Sequence, residues 1–268
     1  MTRAGREARQ RGFTLAEVAI VVLIVGLLLG GLLGTYSSQV ELSRIAETRR
    51  TLETARDALI GFAAANGRLP CPANAASNGA EAVSVLPPPT CNVSVAPEQQ
   101  GVGFLPAATL GLTPIDSQGF LIDAWGSRVR YAVTNDNGLF TFTTQGQMRA
   151  QLIDLNPGTP QQTLLRICTT AAPPNAIAFP GTNNAACSGI GTTLTNSAVA
   201  VIFSVGKNGV VGGTGVAGVG LDEQANLNSD RVFISHDSIP PPSANEFDDI
   251  VVWLSPSILY NRVLSGGL

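Results

Sequence analysis

The longest apolar stretch of the chain lies near its N terminus. Residues 13–34 consist almost entirely of Ala, Val, Ile, Leu and Gly, and Glu17 is their single charged side chain. As an α-helix this stretch extends about 33 Å, enough to cross a hydrocarbon core of about 30 Å. The pattern therefore predicts a membrane-spanning helix. A carboxylate inside such a helix costs on the order of 2.5 kcal/mol or more, so Glu17 indicates a functional partner.

A helical pattern continues through residues 35–67. Apolar side chains recur there near heptad spacing, with charged side chains between them. Asn66-Gly67 is a helix-ending signal, and Pro70 follows it. The pattern predicts one helix of about 50 residues whose second half is amphipathic and covered by a head domain. A coiled coil is the alternative, but the apolar repeat covers too few turns for it.

The head, residues 68–268, alternates strand patterns with turn-rich segments. Residues 68–125 are rich in Pro and Gly and predict loops that wrap the sheet. Strands are predicted over 129–133, 139–143, 163–167, 198–204, 232–235 and 250–254, with a hairpin turn at 135–138 and a short helix after 255–256. A long helix packed on a mostly antiparallel β-sheet head with long loops is an α+β fold.

Charge is distributed unevenly along the chain. Residues 1–12 carry four Arg and one Glu, whereas the remaining residues carry 12 basic and 18 acidic side chains. A basic leader stays in the cytoplasm, which predicts that the apolar helix has its N terminus inside. An ordinary secretory signal peptide has the same order of residues, but no A-x-A-like cleavage site follows the apolar run. The net charge of −3 and the lack of a basic tract disfavour nucleic acid as a partner.

Four cysteines, Cys71, Cys91, Cys168 and Cys187, lie on the predicted exported side. None has C-x-x-C spacing, which disfavours zinc and redox-motif interpretations. Of the three possible pairings, the local one joins Cys71 to Cys91 and Cys168 to Cys187, and each disulfide is expected to contribute about 3 kcal/mol. The cysteines indicate an oxidising periplasm.

The chain shows no catalytic cluster. Residues 213–218 match G-x-G-x-x-G, but no apolar helical period follows, so nucleotide binding is not predicted. His236, the single histidine, lies in a Ser-His-Asp-Ser segment, but the sequence contains no nucleophile elbow. We predict a surface or strand-end histidine, no catalytic residues and no enzyme activity.

The segment Gly12-Phe-Thr-Leu-Ala-Glu17, between the basic leader and the apolar run, resembles the class III signal of type IV pilins and type II secretion pseudopilins. The resemblance implies that a prepilin peptidase removes residues 1–12 by cutting after Gly12, and that the new N-terminal residue, Phe13, is methylated. It also implies that Glu17 acts in assembly. Pairing with the N-terminal amine of a neighbouring subunit would remove two unpaired charges from an apolar helix bundle.

The resemblance predicts a structural subunit of a type IV-type filament, and the large head favours a minor pilin or pseudopilin. Its partners are other subunits, bound through the N-terminal helix. Its location is the inner membrane, with a periplasmic head, and then the filament, in the periplasm or at the cell surface. The alternative from a different class is a membrane-anchored periplasmic binding protein or enzyme with an uncleaved signal anchor. An adhesive tip subunit, and the choice between a pilus, type II secretion and DNA uptake, stay open.

Parts of the head resemble type II secretion pseudopilins. Asp123-Ala-Trp-Gly126 followed by Tyr131 is similar to that family's Asp-Pro-Trp-Gly…Tyr turn, with Ala124 in place of Pro. Residues 203–209, and Asp249-Ile250 with Trp253, are similar to its final strand pair.

The resemblance of the head to type II secretion pseudopilins implies a calcium site in the C-terminal loops, because those proteins hold calcium in the corresponding region. Calcium takes six to eight oxygen ligands, many of them carboxylates. The acidic residues between the strands ending near residue 204 and starting near residue 250 are Asp222, Glu223, Asp230, Asp237, Glu246, Asp248 and Asp249. Asp222, Asp230 and Asp249 are the predicted ligands. The alternative is that these side chains are solvated or form turns.

Overall fold

The chain divides into two compact units, Met1–Ile45 and Ala46–Leu268. The computed structural model describes residues 14–83, 91, 102–134, 142–146, 148, 165–170, 187, 191–209, 220–227, 231–243 and 245–265, with the side chains of 29–37 and 264–265 left aside. The long helix runs from the first unit into the second, so its last turns belong to the same unit as the head.

Helix α1 (Leu15–Asn66) has caps at both ends that can be read in the sequence. At the start, the Glu17 amide donates to Thr14 Oγ1 at 3.3 Å, and the Thr14 amide donates to Glu17 Oε2 at 2.9 Å. This reciprocal pair is a capping box. At the end, Gly67 takes the left-handed conformation, with φ of 65°, and its amide donates to the Ala63 carbonyl at 2.9 Å. The predicted helix end at Asn66-Gly67 is confirmed.

The two parts of α1 differ in burial. Large apolar side chains of residues 15–28 are 46–89% exposed. In the second unit the helix buries one stripe, consisting of Thr48, Leu52, Ala55, Leu59, Ile60 and Ala63. This stripe is the predicted amphipathic face. Among the described residues, no helix combines the length and the apolar character needed to cross a membrane. The membrane span over residues 13–34 stays a prediction.

The described residues of the head form two small sheets. Its elements in chain order are β1 (Val102–Phe104), α2 (Ala107–Leu110), β2 (Arg130–Val133), β3 (Leu165–Cys168), β4 (Thr193–Ala198), β5 (Ala200–Ser204), α3 (Leu221–Leu227), β6 (Val232–Ile234), β7 (Ile250–Leu254) and α4 (Pro256–Ser265). The first sheet has the antiparallel order β1-β2-β5-β7, and the second has the order β4-β3-β6. In the second sheet β3 is antiparallel to β4 and parallel to β6. The fold is α+β, as predicted.

Apolar side chains of the two sheets form a common core. Ala132, Val201 and Phe203 of the first sheet cluster with Leu165, Ile167, Ala198 and Phe233 of the second. The rings of Phe203 and Phe233 lie 5.5 Å apart, centroid to centroid, in a tilted arrangement. Strand β5 is buried along its whole length.

Most predicted strands are present within one or two residues of their expected bounds. The exceptions are β1 and α2, which lie in the region predicted as loops, and β4 and α3, which were not predicted. These elements are short, and tertiary contacts rather than a local period hold them. The predicted strand 139–143 ends in a turn at Phe142 and Thr143, and its first residues, the hairpin turn 135–138 and the G-x-G-x-x-G match lie outside the described residues.

Both local disulfides are present. Cys71 is bonded to Cys91, with a Cα–Cα distance of 5.3 Å, and Cys168 is bonded to Cys187, with a Cα–Cα distance of 5.6 Å. The first ties the segment after α1 to the following loop, and the second ties the end of β3 to the loop before β4. The pairing agrees with the prediction from the sequence.

Candidate functional site

Helix α3 (Leu221–Leu227) is held in place by polar side chains. Its buried residues are Asp222, Glu223 and Asn226, at 2%, 1% and 1% exposure. Carboxylates are rarely this buried unless they are paired or bind a metal. The helix has no apolar period, which explains why the hydrophobic pattern did not predict it.

Three carboxylates from two segments meet beside this helix. Glu223 comes from α3, and Asp248 and Asp249 immediately precede β7. One oxygen atom from each of the three carboxylates lies within 4.8 Å of the other two. This carboxylate cluster is the candidate metal centre among the described residues.

Two asparagine amides orient the outer members of the cluster. Asn208 Nδ2 donates to both carboxylate oxygens of Glu223 at 3.0 Å. Asn226 Nδ2 donates to Asp249 Oδ2 at 2.7 Å, while its Oδ1 accepts from the Ile234 amide at 2.6 Å. The amides fix both carboxylates without supplying a positive charge.

Asp248 is the third member of the cluster, and one of its two carboxylate oxygens has no hydrogen-bond partner among the described residues. Its Oδ2 accepts from the amides of Lys207 and Asn208 at 3.0 and 3.3 Å. Its Oδ1 is buried and has no hydrogen-bond partner among the described residues. Gly206, with φ of 63°, lies directly against this carboxylate, and a Cβ atom there would overlap it. The loop therefore requires glycine at position 206.

The electrostatics of the cluster disfavour three negative charges. Burial, and then the charge of Glu223, raises the pKa of Asp248 to about 7. Burial also raises the pKa of Glu223, although hydrogen bonds from Asn208 and Asp248 oppose the shift. The pKa of Asp249 lies well above its ordinary value, chiefly because of burial and further because of its two acidic neighbours. A cation bound between the three oxygens would remove this repulsion.

The residues present fit a hard cation such as calcium. Oxygen donors are the ligands that calcium prefers, and Asp248 Oδ1 is a buried oxygen without a donor. Of the three predicted ligands, Asp249 is in the cluster and Asp230 lies outside the described residues. Glu223 and Asp248 belong to the acidic residues of this region but are not among the predicted ligands.

Asp222 is not part of the carboxylate cluster. Its carboxylate faces another group, accepting from Thr170 Oγ1 at 3.0 Å and from Asn245 Nδ2 at 2.9 Å and lying 3.2 Å from His236 Nε2. The ring of His236 stacks on Phe247 with centroids 3.9 Å apart. Adjacent helix residues point about 100° apart, so only one of Asp222 and Glu223 can face the cluster. Glu223 rather than Asp222 is therefore the residue of α3 that lies in the carboxylate cluster.

The Asp123–Gly126 turn is built around a buried carboxylate. Asp123 Oδ1 accepts from the amides of Trp125 and Ser127 at 2.9 and 2.8 Å, and Gly126 takes a φ of 87°. The hydroxyl of Tyr131, fully buried, donates to the Pro70 carbonyl at 3.2 Å. Asp123 and Tyr131, two residues of the motif that resembles the pseudopilin turn, therefore both make contacts that hold the fold together.

At the N terminus, α1 begins at Leu15, the third residue after the predicted cleavage site. Gly12 and Phe13 lie outside the described residues, and Glu17 is in the first turn. Both Thr14 groups that bond to Glu17, the amide and the hydroxyl, donate to Oε2 at 2.9 Å.

Together these features define a protein with one long N-terminal helix, an exposed apolar start and a disulfide-bonded α+β head. The family model for the prokaryotic N-terminal methylation motif matches residues 8–33. This motif is the type IV pilin and pseudopilin signal, and it supports a prepilin-type, N-methylated, type IV pilin-like protein. It implies a membrane-anchored precursor that becomes a filament subunit. The comparisons with curated proteins and with solved structures find no match.

Proposed function

We propose that this chain is a minor pilin or pseudopilin, a structural subunit of a type IV-type filament. The observation that carries the proposal is the methylation motif at residues 8–33, which includes the start of α1. A prepilin peptidase cuts after Gly12, Phe13 is methylated, and the subunit then joins others through its N-terminal helix.

The exposed apolar side chains of residues 15–28 support this mode of assembly. Apolar patches of this extent on a water-soluble surface mark membrane or protein contacts. In the proposed pathway these side chains contact lipid in the inner membrane before assembly, with the head in the periplasm. In the filament the helices of neighbouring subunits cover them.

The capping box supports a role for Glu17 both in the isolated chain and in the filament. In the isolated chain Thr14 satisfies Oε2, and no residue that the structure describes donates to Oε1. We propose that the methylated amine of a neighbouring Phe13 is that donor in the filament. The pairing places opposite charges together where the surroundings are apolar.

We propose a structural rather than an enzymatic role. All four cysteines are in disulfides, so no thiol is available as a nucleophile. The competing function is a membrane-anchored periplasmic binding protein or enzyme with an uncleaved anchor, and it differs from the proposal in its mature N terminus.

Mass spectrometry of the mature N terminus tests the proposal. The chain is expressed with and without a prepilin peptidase, and the expected product with the peptidase begins with N-methylated Phe13. Gly12→Val should remain unprocessed, whereas the matched leader variant Gly5→Val should be cut normally. An intact Met1 in the presence of the peptidase, or a cut beyond residue 30, would favour the anchored alternative or an ordinary signal peptide.

We propose, second, that Glu223, Asp248 and Asp249 hold a calcium ion. The unpartnered Oδ1 of Asp248 and the three raised pKa values support this site. A bound ion would tie α3 to the segment before β7 and stabilise the head outside the cell.

Thermal unfolding of the full chain in detergent tests the calcium site. Calcium should raise the Tm relative to chelator by an amount set by the ratio of free ion to Kd. Asp249→Asn should remove the increase. Asp237→Asn, which changes an exposed acid in the same region, should keep it. Equal Tm values for the unaltered chain in calcium and in chelator would eliminate the site.

A further inference from the structure

One buried hydroxyl connects the Asp123–Gly126 turn to the loop that holds Asp248. Ser204, at the end of β5, is 0% exposed. Its Oγ donates to Asp123 Oδ2 at 2.6 Å and accepts from the Gly206 amide at 3.1 Å. The carboxylate can only accept, so it orients the hydroxyl and leaves a lone pair of Oγ for Gly206.

Gly206 is the point where this connection reaches the carboxylate cluster. The amides of the next two residues, Lys207 and Asn208, both donate to Asp248 Oδ2. Asn208 also holds Glu223 through its side chain. Loop 205–209 therefore contacts two of the three cluster members, and its first turn is fixed by Ser204.

The conformation of this loop needs such a support. Gly206 lies in the left-handed region and its Cα packs against Asp248. If the Gly206 amide lost its acceptor, the amides that bond to Asp248 would no longer be held in position. Asp123 is itself anchored by two backbone amides, so the support is rigid at its far end.

We propose that Ser204 and Asp123 are positioning residues for the calcium site, acting through Gly206 on the orientation of Asp248. The inference rests on the proposed site at Glu223, Asp248 and Asp249. Residues that orient metal ligands typically change metal affinity 10–100-fold when they are altered. The turn that resembles the pseudopilin motif thus acquires a role beyond its own structure.

The experiment measures the calcium concentration at which half of the Tm increase of the full chain in detergent is reached. Ser204→Ala removes the hydroxyl, and we expect this midpoint to rise at least about 10-fold. Ser204→Thr keeps a hydroxyl and should recover most of the affinity. The matched control is Thr134→Val, which removes a fully buried hydroxyl bonded to the Val199 carbonyl, away from the cluster. It should lower the Tm equally in calcium and in chelator and leave the midpoint unchanged.

The outcomes separate the two proposals. If the unaltered chain shows no calcium-induced increase, the calcium site is eliminated. If it shows the increase and Ser204→Ala has an unchanged midpoint, the site stands and the positioning role is overturned. A midpoint raised as much by Thr134→Val as by Ser204→Ala would also overturn it. If Ser204→Ala does not fold, Asp123→Asn decides in its place, with a raised midpoint in support and an unchanged one against.

Discussion

Replacing Asp248 by Asn should make the cation-free head more stable at pH 8. The side chain is nearly isosteric, and it removes one negative charge from the carboxylate cluster. Burial raises the pKa of Asp248 from its ordinary 3.8 to about 7 in the folded chain. A difference of that size corresponds to about 4 kcal/mol at 1.36 kcal/mol per pKa unit. Because the side chain is partly exposed, solvent screening reduces the expected gain to about 2 kcal/mol.

The direction in which the stability changes with pH follows from proton linkage. Between about pH 4 and pH 7 the folded chain keeps a proton on Asp248 that the unfolded chain has lost. The free energy of unfolding therefore falls as the pH rises through this window, and the loss is complete above it. Glu223 and Asp249 have raised pKa values and add to the loss in the same direction. The Asn variant does not lose stability at position 248 as the pH rises, because its side chain does not titrate.

The assay is thermal unfolding of the full chain in chelator at pH 5 and at pH 8. For a unit of this size, about 2 kcal/mol corresponds to a Tm higher by about 4–8 °C at pH 8. The advantage should shrink at pH 5. In calcium the order should reverse, because the variant lacks one ligand. A variant no more stable than the parent in chelator at pH 8 would refute the reasoning.

Asp116→Asn is the matched control. Burial alone would raise the pKa of Asp116, but hydrogen bonds from Phe120, Arg128 and Gln118 outweigh it and the pKa is lowered. A lowered pKa means that the charged form contributes stability, which is lost as the pH falls. Removing this charge should therefore destabilise the head at pH 8, opposite to the effect at Asp248.

Three further predictions concern other parts of the chain. Glu17→Val should be exported and cleaved but enter filaments poorly when it is co-expressed with the parent, as measured in sheared filament fractions; equal incorporation would contradict the proposed pairing. A double Cys71→Ser, Cys91→Ser variant should lose about 3 kcal/mol of unfolding free energy in denaturant titrations, and an unchanged midpoint would show that the disulfide contributes nothing. Gly206→Ala should lower the Tm more than Gly111→Ala, because both have positive φ but only the first lacks room for a Cβ; equal losses would contradict the close packing.

The bounds of α1 could be predicted because their causes are local. The capping box and the Asn66-Gly67 signal each involve residues within four positions of one another, so the sequence contains the whole interaction. The local disulfides are similar, because each closes a loop of fewer than two dozen residues. The methylation motif is also a continuous segment.

The carboxylate cluster depends on the tertiary structure. Glu223 and Asp248 lie on segments 25 positions apart that the sheets bring together, and no local pattern specifies their approach. Helix α3 buries polar side chains, so the hydrophobic period that reveals most helices is missing.

The choice between Asp222 and Glu223 shows the difference between what the sequence determines and what only the tertiary structure decides. The sequence determined that this stretch is acidic and lies among the C-terminal loops. Which of two adjacent carboxylates faces Asp248 depends on the rotation of a seven-residue helix about its axis. That rotation is fixed by distant partners, Asn208 on one side and Thr170 with His236 on the other. Only the folded chain brings those partners to the helix.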